Sequence, residues 1–181
     1  MTADLLTPGL ALPLISLPAT DGGNVSLATL LGRSVVAVYP WTGRPGHPNP
    51  PGWDDIPGAH GSTPELEGFR DAVDGFARCE TRVFGLSGQA TDYQQELVER
   101  LGLNFQLLSD VGGHFAGALG LPSFTAGEEN YLKRLTLVAA DARIEKVFCP
   151  VSDAAAHAGE VLAYLTNYYS PSASSSASST E

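Results

Sequence analysis

The sequence predicts an α/β domain with a mixed central sheet flanked by helices. Three observations carry that expectation. Short β-branched runs alternate with longer stretches of helical periodicity. The 181 residues, 43% of them apolar, suffice for one continuous core and not for two. Near the C-terminus, two β-rich runs joined by Asp141-Ala142 read as a hairpin, so parallel crossovers must coexist with an antiparallel pair.

Ser34 to Tyr39, preceded by Gly32 and ended by Pro40, suits a buried central strand. Pro40 to Gly61 holds six prolines and five glycines, a density that excludes regular structure and marks a long loop or insertion. Ser62-Thr63-Pro64-Glu65 fits a capping box with proline in the first turn, opening a helix to about Arg78. Arg82 to Ser87 reads as a second strand, Thr91 to Gly102 as a second helix with Leu97, Val98 and Leu101 on one face, and Phe105 to Leu108 as a third strand. A short helical piece at His114 to Leu119 precedes the hairpin of Leu135–Ala139 and Ile144–Phe148. A final helix, capped by Ser152 or Asp153, covers about Ala154 to Tyr168. This order is a thioredoxin-like pattern over residues 1–169. Residues 170–181, almost all Ser, Ala, Thr and Pro, are too polar to pack and are expected to be a disordered tail.

Twenty acidic against ten basic side chains give a formal net charge of −10, the wrong sign for gripping a phosphate backbone, so no nucleic-acid partner is expected. No apolar run approaches the roughly 18 residues of a membrane helix, and the first residues lack a signal-peptide pattern; a soluble, cytoplasmic protein is expected. Cys79 and Cys149 are too sparse for a disulfide framework or a zinc site. In the loop, His47, His60, Asp54 and Asp55 lack convincing ligand spacing, so neither metal nor other cofactor is expected.

The stretch Gly61-Ser62-Thr63-Pro64-Glu65-Leu66-Glu67-Gly68-Phe69-Arg70-Asp71 closely resembles the active-site helix of the peroxiredoxins, in particular the PrxQ or bacterioferritin-comigratory-protein group, which reads Gly-Cys-Thr-x-Glu-x-Cys-x-Phe-Arg-Asp. The likeness extends over roughly residues 8–168. Leu17 to Leu27 looks like the family's opening hairpin, Val83 to Ser87 like its next strand, and Lys133 to Val138 like the strand that carries its active-site arginine. The resemblance implies a thiol-dependent peroxidase that reduces hydrogen peroxide and organic hydroperoxides through a cysteine sulfenic acid, with a thioredoxin-type reductant and a monomeric chain. It places the reactive position at Ser62, the thiolate- and peroxide-binding guanidinium at Arg134, and supporting roles at Pro40 and Glu65. A thiol in the first turn of a helix, faced by backbone N–H groups and a guanidinium, is held as thiolate, and a fixed guanidinium fork suits two oxygens better than an ammonium does.

Three departures follow. Ser62 cannot travel the sulfur oxidation ladder, so this chain is expected to be inactive. Its intact surroundings favour a deliberate cysteine-to-serine substitution that holds a reduced-like state; the alternative is a redox-silent binding or regulatory module with a natural serine. A serine here is also an ordinary helix cap. The family's threonine, three residues before the reactive position, is Ala59, and Thr42 is the candidate substitute if residues 44–56 loop outward; a solvent-facing threonine is the competing reading. The family's second cysteine is Glu67, which leaves Cys149 and Cys79 as candidate resolving thiols. With a two-residue turn at Asp141-Ala142, cross-strand partners sum to about 283 and set Cys149 opposite Arg134. Cys79 instead lies roughly 25 Å up the helix, where a buried structural thiol is the simpler reading. Glu65 belongs to the capping box, with Arg134 as its other candidate partner. Tyr39, Trp41, Trp53 and Phe124 are candidates to shield the pocket, with core packing the default for Tyr39.

Overall fold

Apolar side chains on both faces of one strand set the architecture. Residues 33–38 are buried throughout: Val36 and Val38 pack into one apolar cluster, Val35 and Ala37 into a second on the opposite face of the sheet. The computed structural model describes residues 5–169, so the tail expected at 170–181 lies outside them. In chain order the elements are β1 (Ser16–Pro18), β2 (Asn24–Ser26), β3 (Arg33–Val38), α1 (Ser62–Arg78), β4 (Thr81–Ser87), α2 (Thr91–Leu101), β5 (Gln106–Ser109), α3 (His114–Leu119), β6 (Ser123–Ala126), β7 (Glu129–Leu132), β8 (Leu135–Ala140), β9 (Arg143–Phe148) and α4 (His157–Tyr169).

The central sheet runs β5-β4-β3-β8-β9. β3, β4 and β5 are parallel, whereas β8 is antiparallel to both β3 and β9, so the hairpin contributes two antiparallel pairings where the sequence anticipated one. α1 and α4 cover one face through Leu66, Phe69, Phe76, Val161 and Leu165. Phe115 and Leu119 of α3, with Leu17 and Leu27, cover the other. β1 and β2 pair as the expected opening hairpin. A further hairpin, β6–β7, was not anticipated. Among the described residues, no helix is long and apolar enough to cross a membrane.

Three local expectations are corrected. The proline-rich segment contains a single turn of 3-10 helix at Trp53–Asp55, and it does not swing outward. Arg44 pairs with Glu96 of α2 and lies over the ring of Tyr93, Arg100 donates to the carbonyl of Gly43, and Trp53 is buried against Trp41, Phe124 and Tyr131. The insertion thus has its own small apolar core, built on the β6–β7 hairpin that the sequence reading missed. The capping box does not form: Gly61, at φ 109°, is the cap of α1, and Ser62 is already helical. Finally, the β8–β9 register begins at a sum of 283 but shifts by one at a bulge between Val138 and Ala139. Continued past Thr136↔Phe148, it sets Cys149 level with Leu135, not Arg134.

Candidate active site

The first turn of α1 meets the start of β8 beneath the insertion. Arg134, one residue before β8, is buried with its guanidinium under that turn. Nη2 donates to Ser62 Oγ at 3.0 Å and to the carbonyl oxygens of His60 at 3.1 Å and Ala59 at 3.4 Å. Nη1 donates to Glu65 Oε2 in a buried ion pair. Glu65 therefore spends its carboxylate on Arg134, which is why no capping box closes. The other oxygen, Oε1, has no protein partner. Burial pushes the Glu65 carboxyl up to about 7, with Arg134 pulling the other way.

Ser62 thus sits where two sources of positive potential converge: the amino end of a 17-residue helix and a fixed guanidinium. Such a place stabilises an anion on the side-chain atom of residue 62. A serine hydroxyl remains neutral and accepts the arginine hydrogen bond; a thiol there would be shifted toward thiolate. Gly61 makes the geometry possible twice over. Its backbone conformation is one that L side chains rarely adopt, and a Cβ on it would stand 2.8 Å from that of Ala154.

A cavity of about 230 Å³ opens over Ser62, lined by Trp41, Thr42, Trp53, Ala59 and His60 among others. Thr42 is buried in its wall, although the loop around it folds inward and not outward. Its hydroxyl and N–H both donate to Gln89 Oε1, at 3.1 and 3.2 Å, while Gln89 Nε2 and Tyr93 Oη donate to its carbonyl at 3.2 and 2.8 Å. Gln89 and Tyr93, which fix Thr42, gave no local signal in the sequence; they lie 47 and 51 residues away. Pro40 borders a larger cleft of about 720 Å³ that shares Trp41 with the Ser62 cavity. Tyr39 is a core residue, and Phe124 packs behind Trp53.

Of the two thiols, Cys79 is buried at the carboxyl end of α1, so the helix itself separates it from Ser62 by roughly 25 Å. Cys149 is exposed just beyond β9; partial burial raises its pKa, and Lys133 partly offsets that. Behind Arg134, buried His157 pairs through Nε2 with Thr136 Oγ1 at 2.8 Å, and burial holds its pKa down. No cluster of three or more metal-ligating side chains exists among the described residues.

No family model matches the chain. Peroxiredoxin Bcp of Escherichia coli is 30% identical over 141 residues, which cover 75% of this chain and 81% of that protein. The chain belongs to the peroxiredoxins, in the Q/Bcp group. A putative peroxiredoxin of Mycobacterium tuberculosis is 34% identical over 106 residues, 58% of either chain. The match to rice chloroplastic peroxiredoxin Q, 30% identical over 118 residues, spans only 48% of that protein and 65% of this one. In three dimensions, the crystal structure of peroxidoxin BcpB from Mycobacterium tuberculosis superposes with a TM-score of 0.73 at 25% identity, covering 90% of this chain and 97% of that one. A cysteine-to-serine variant of Xylella fastidiosa PrxQ gives 0.74 at 20% identity, with coverage of 90% and 97%; it shares the fold.

Proposed function

We propose that the chain is a thiol-peroxidase scaffold of the peroxiredoxin Q type in which Ser62 occupies the place of the attacking cysteine. The observation that carries this reading is the 3.0 Å hydrogen bond from Arg134 to the side chain of residue 62, at the start of α1 and on the floor of a small cavity. With sulfur in that position, the thiolate attacks the distal oxygen of a hydroperoxide, the O–O bond breaks, and sulfur leaves as sulfenic acid while the peroxide becomes water or an alcohol. Arg134 holds the oxygens and Thr42, its own hydroxyl hydrogen given to Gln89, accepts the peroxide O–H; Glu65 fixes Arg134, Trp41 shapes the wall, and Pro40 borders the adjoining cleft. Hydrogen peroxide and organic hydroperoxides are the substrates, a thioredoxin-type protein is the reductant, and the chain works as a cytoplasmic monomer. Cys149 is the better placed thiol for resolving the sulfenic acid, since α1 holds Cys79 away. As it stands, the serine chain binds without turning over.

The test is Ser62→Cys in the full chain. Trp41 and Trp53 line the cavity and report on it by fluorescence. In stopped flow, the variant is expected to show a phase whose rate rises linearly with hydroperoxide concentration, together with peroxide loss, and the serine chain neither. Absence of both in a folded Ser62→Cys protein overturns the proposal.

A further inference from the structure

The insertion carries one constellation that the peroxidase reading leaves idle. Asp54 Oδ1 stands 2.7 Å from His60 Nε2, across a short loop that brings residues 54 and 60 together. Both are anchored by their backbones although the side chains reach solvent. Asp54 belongs to the turn whose Trp53 is buried in the aromatic cluster. The carbonyl of His60 accepts from Arg134 Nη2 at 3.1 Å, the same nitrogen that donates to Ser62 Oγ. One guanidinium thus sets the positions of residues 60 and 62 together. Among the residues lining the Ser62 cavity, His60 is the one whose side-chain type exchanges a proton near neutral pH; Thr42, Thr63 and Asn49 do not. With Nε2 engaged by Asp54, Nδ1 is the remaining ring nitrogen.

We infer that His60, held by Asp54, is the proton donor to the departing oxygen when a hydroperoxide reacts at position 62. The inference rests on the peroxidase reading and adds a residue to it. A thiolate at 62 forms its bond to the distal oxygen of ROOH, which keeps its hydrogen and becomes the sulfenic acid. The O–O bond breaks toward the proximal oxygen, sulfur is oxidised by two electrons, and the peroxide is reduced by the same two. The leaving alkoxide is a strong base in need of a proton. His60 imidazolium supplies it, yielding the alcohol, and recovers a proton from solvent. Asp54 accepts from Nε2 and orients the ring, as a carboxylate does for a histidine acid.

A donor acting on the leaving group is separable from one that merely supports the loop. Tert-butyl hydroperoxide expels an alkoxide, which requires protonation; peracetic acid expels a carboxylate, which does not. In the Ser62→Cys chain, His60→Gln is expected to lower the second-order rate constant for tert-butyl hydroperoxide about 100-fold and that for peracetic acid less than about threefold. Asp54→Asn is expected to show the same selectivity, more weakly. Equal losses with both oxidants, or no loss with either, overturn the inference while leaving the peroxidase reading standing. A Ser62→Cys protein that reacts with neither oxidant, with His60 intact, removes both.

Discussion

Replacing Arg134 by methionine tests the construction of the site in its most exposed assumption, that one guanidinium holds it together. The substitution keeps much of the apolar stem and deletes the charge. Its direct loss is the ion pair to Glu65 and the hydrogen bonds to Ser62 Oγ and to the carbonyls of residues 59 and 60, all in a buried setting. What remains is a carboxylate with no exposed surface, one of whose oxygens already lacks a protein partner. Breaking a buried pair in this way costs about 3–5 kcal/mol, far more than an exposed pair would. For a urea dependence of about 2 kcal/mol per molar, the midpoint should fall by roughly 2 M. Two internal controls accompany the assay, equilibrium urea unfolding followed by tryptophan fluorescence. Adding Glu65→Gln to Arg134→Met should recover a substantial part of the loss, because the abandoned charge is gone. The loss itself should be smaller below pH 7, where Glu65 of the parent is itself protonated and there is less of an ion pair to break. A drop below about 1 kcal/mol, or no recovery in the double variant, would refute the buried-pair account.

Three further outcomes follow. The Glu65 carboxyl titrates at about 7 folded against 4.5 free, so the folded chain holds an extra proton across that window and this group's contribution to stability is lost as pH rises through it. His157, held low by burial, contributes with the opposite sign, its stabilisation being lost as pH falls below 6.5. Subtracting Glu65→Gln from the parent in urea unfolding isolates the first effect: between about pH 5 and pH 8 the parent should lose up to roughly 3 kcal/mol relative to the variant, and a pH-independent difference would contradict it. Gly61→Ala combines a left-handed backbone with a 2.8 Å approach to Ala154, so a thermal-shift assay should show a loss of about 2 kcal/mol; an unchanged melting temperature would deny the cap its strain. In the Ser62→Cys chain oxidised by hydroperoxide, mass-spectrometric disulfide mapping should find position 62 linked to Cys149 and not to Cys79, because a bridge needs Cα atoms within about 7 Å. A peptide joining Cys79 to residue 62 would require α1 to unfold.

Much of the fold was legible because periodicity and length are local properties. Ser34 to Tyr39 suits a buried strand and the strand forms at Arg33–Val38, while Pro64 in the first turn marks the helix that runs from Ser62 to Arg78. What escaped detection depends on partners distant in sequence. The carboxylate of Glu65 satisfies the sequence rule for a capping box, yet a charged partner just before β8, 69 residues on, outcompetes a backbone N–H. The bulge at Val138 moved Cys149 by one place, and no residue in the hairpin announces it. The proline-rich segment reads as a loop from its proline and glycine density alone; Trp41 and Trp53 find their core only against Phe124 and Tyr131, on a hairpin that the sequence pattern did not reveal. At the site, Ser62, Arg134 and Thr42 come together around one cavity and its floor. The clamp of Gln89 and Tyr93 on Thr42 and the pairing of Asp54 with His60 exist only in the folded chain and have no counterpart in local sequence.

Titration of a thiol placed at position 62 addresses the account most directly. In a Ser62→Cys chain lacking Cys79 and Cys149, thiolate absorbance in the ultraviolet should rise with a midpoint well below the ordinary value of about 8.5, and Arg134→Gln should return it toward that value. A thiol that ionises at or above the ordinary value with Arg134 in place would mean that the helix end and the guanidinium do not form an anion site.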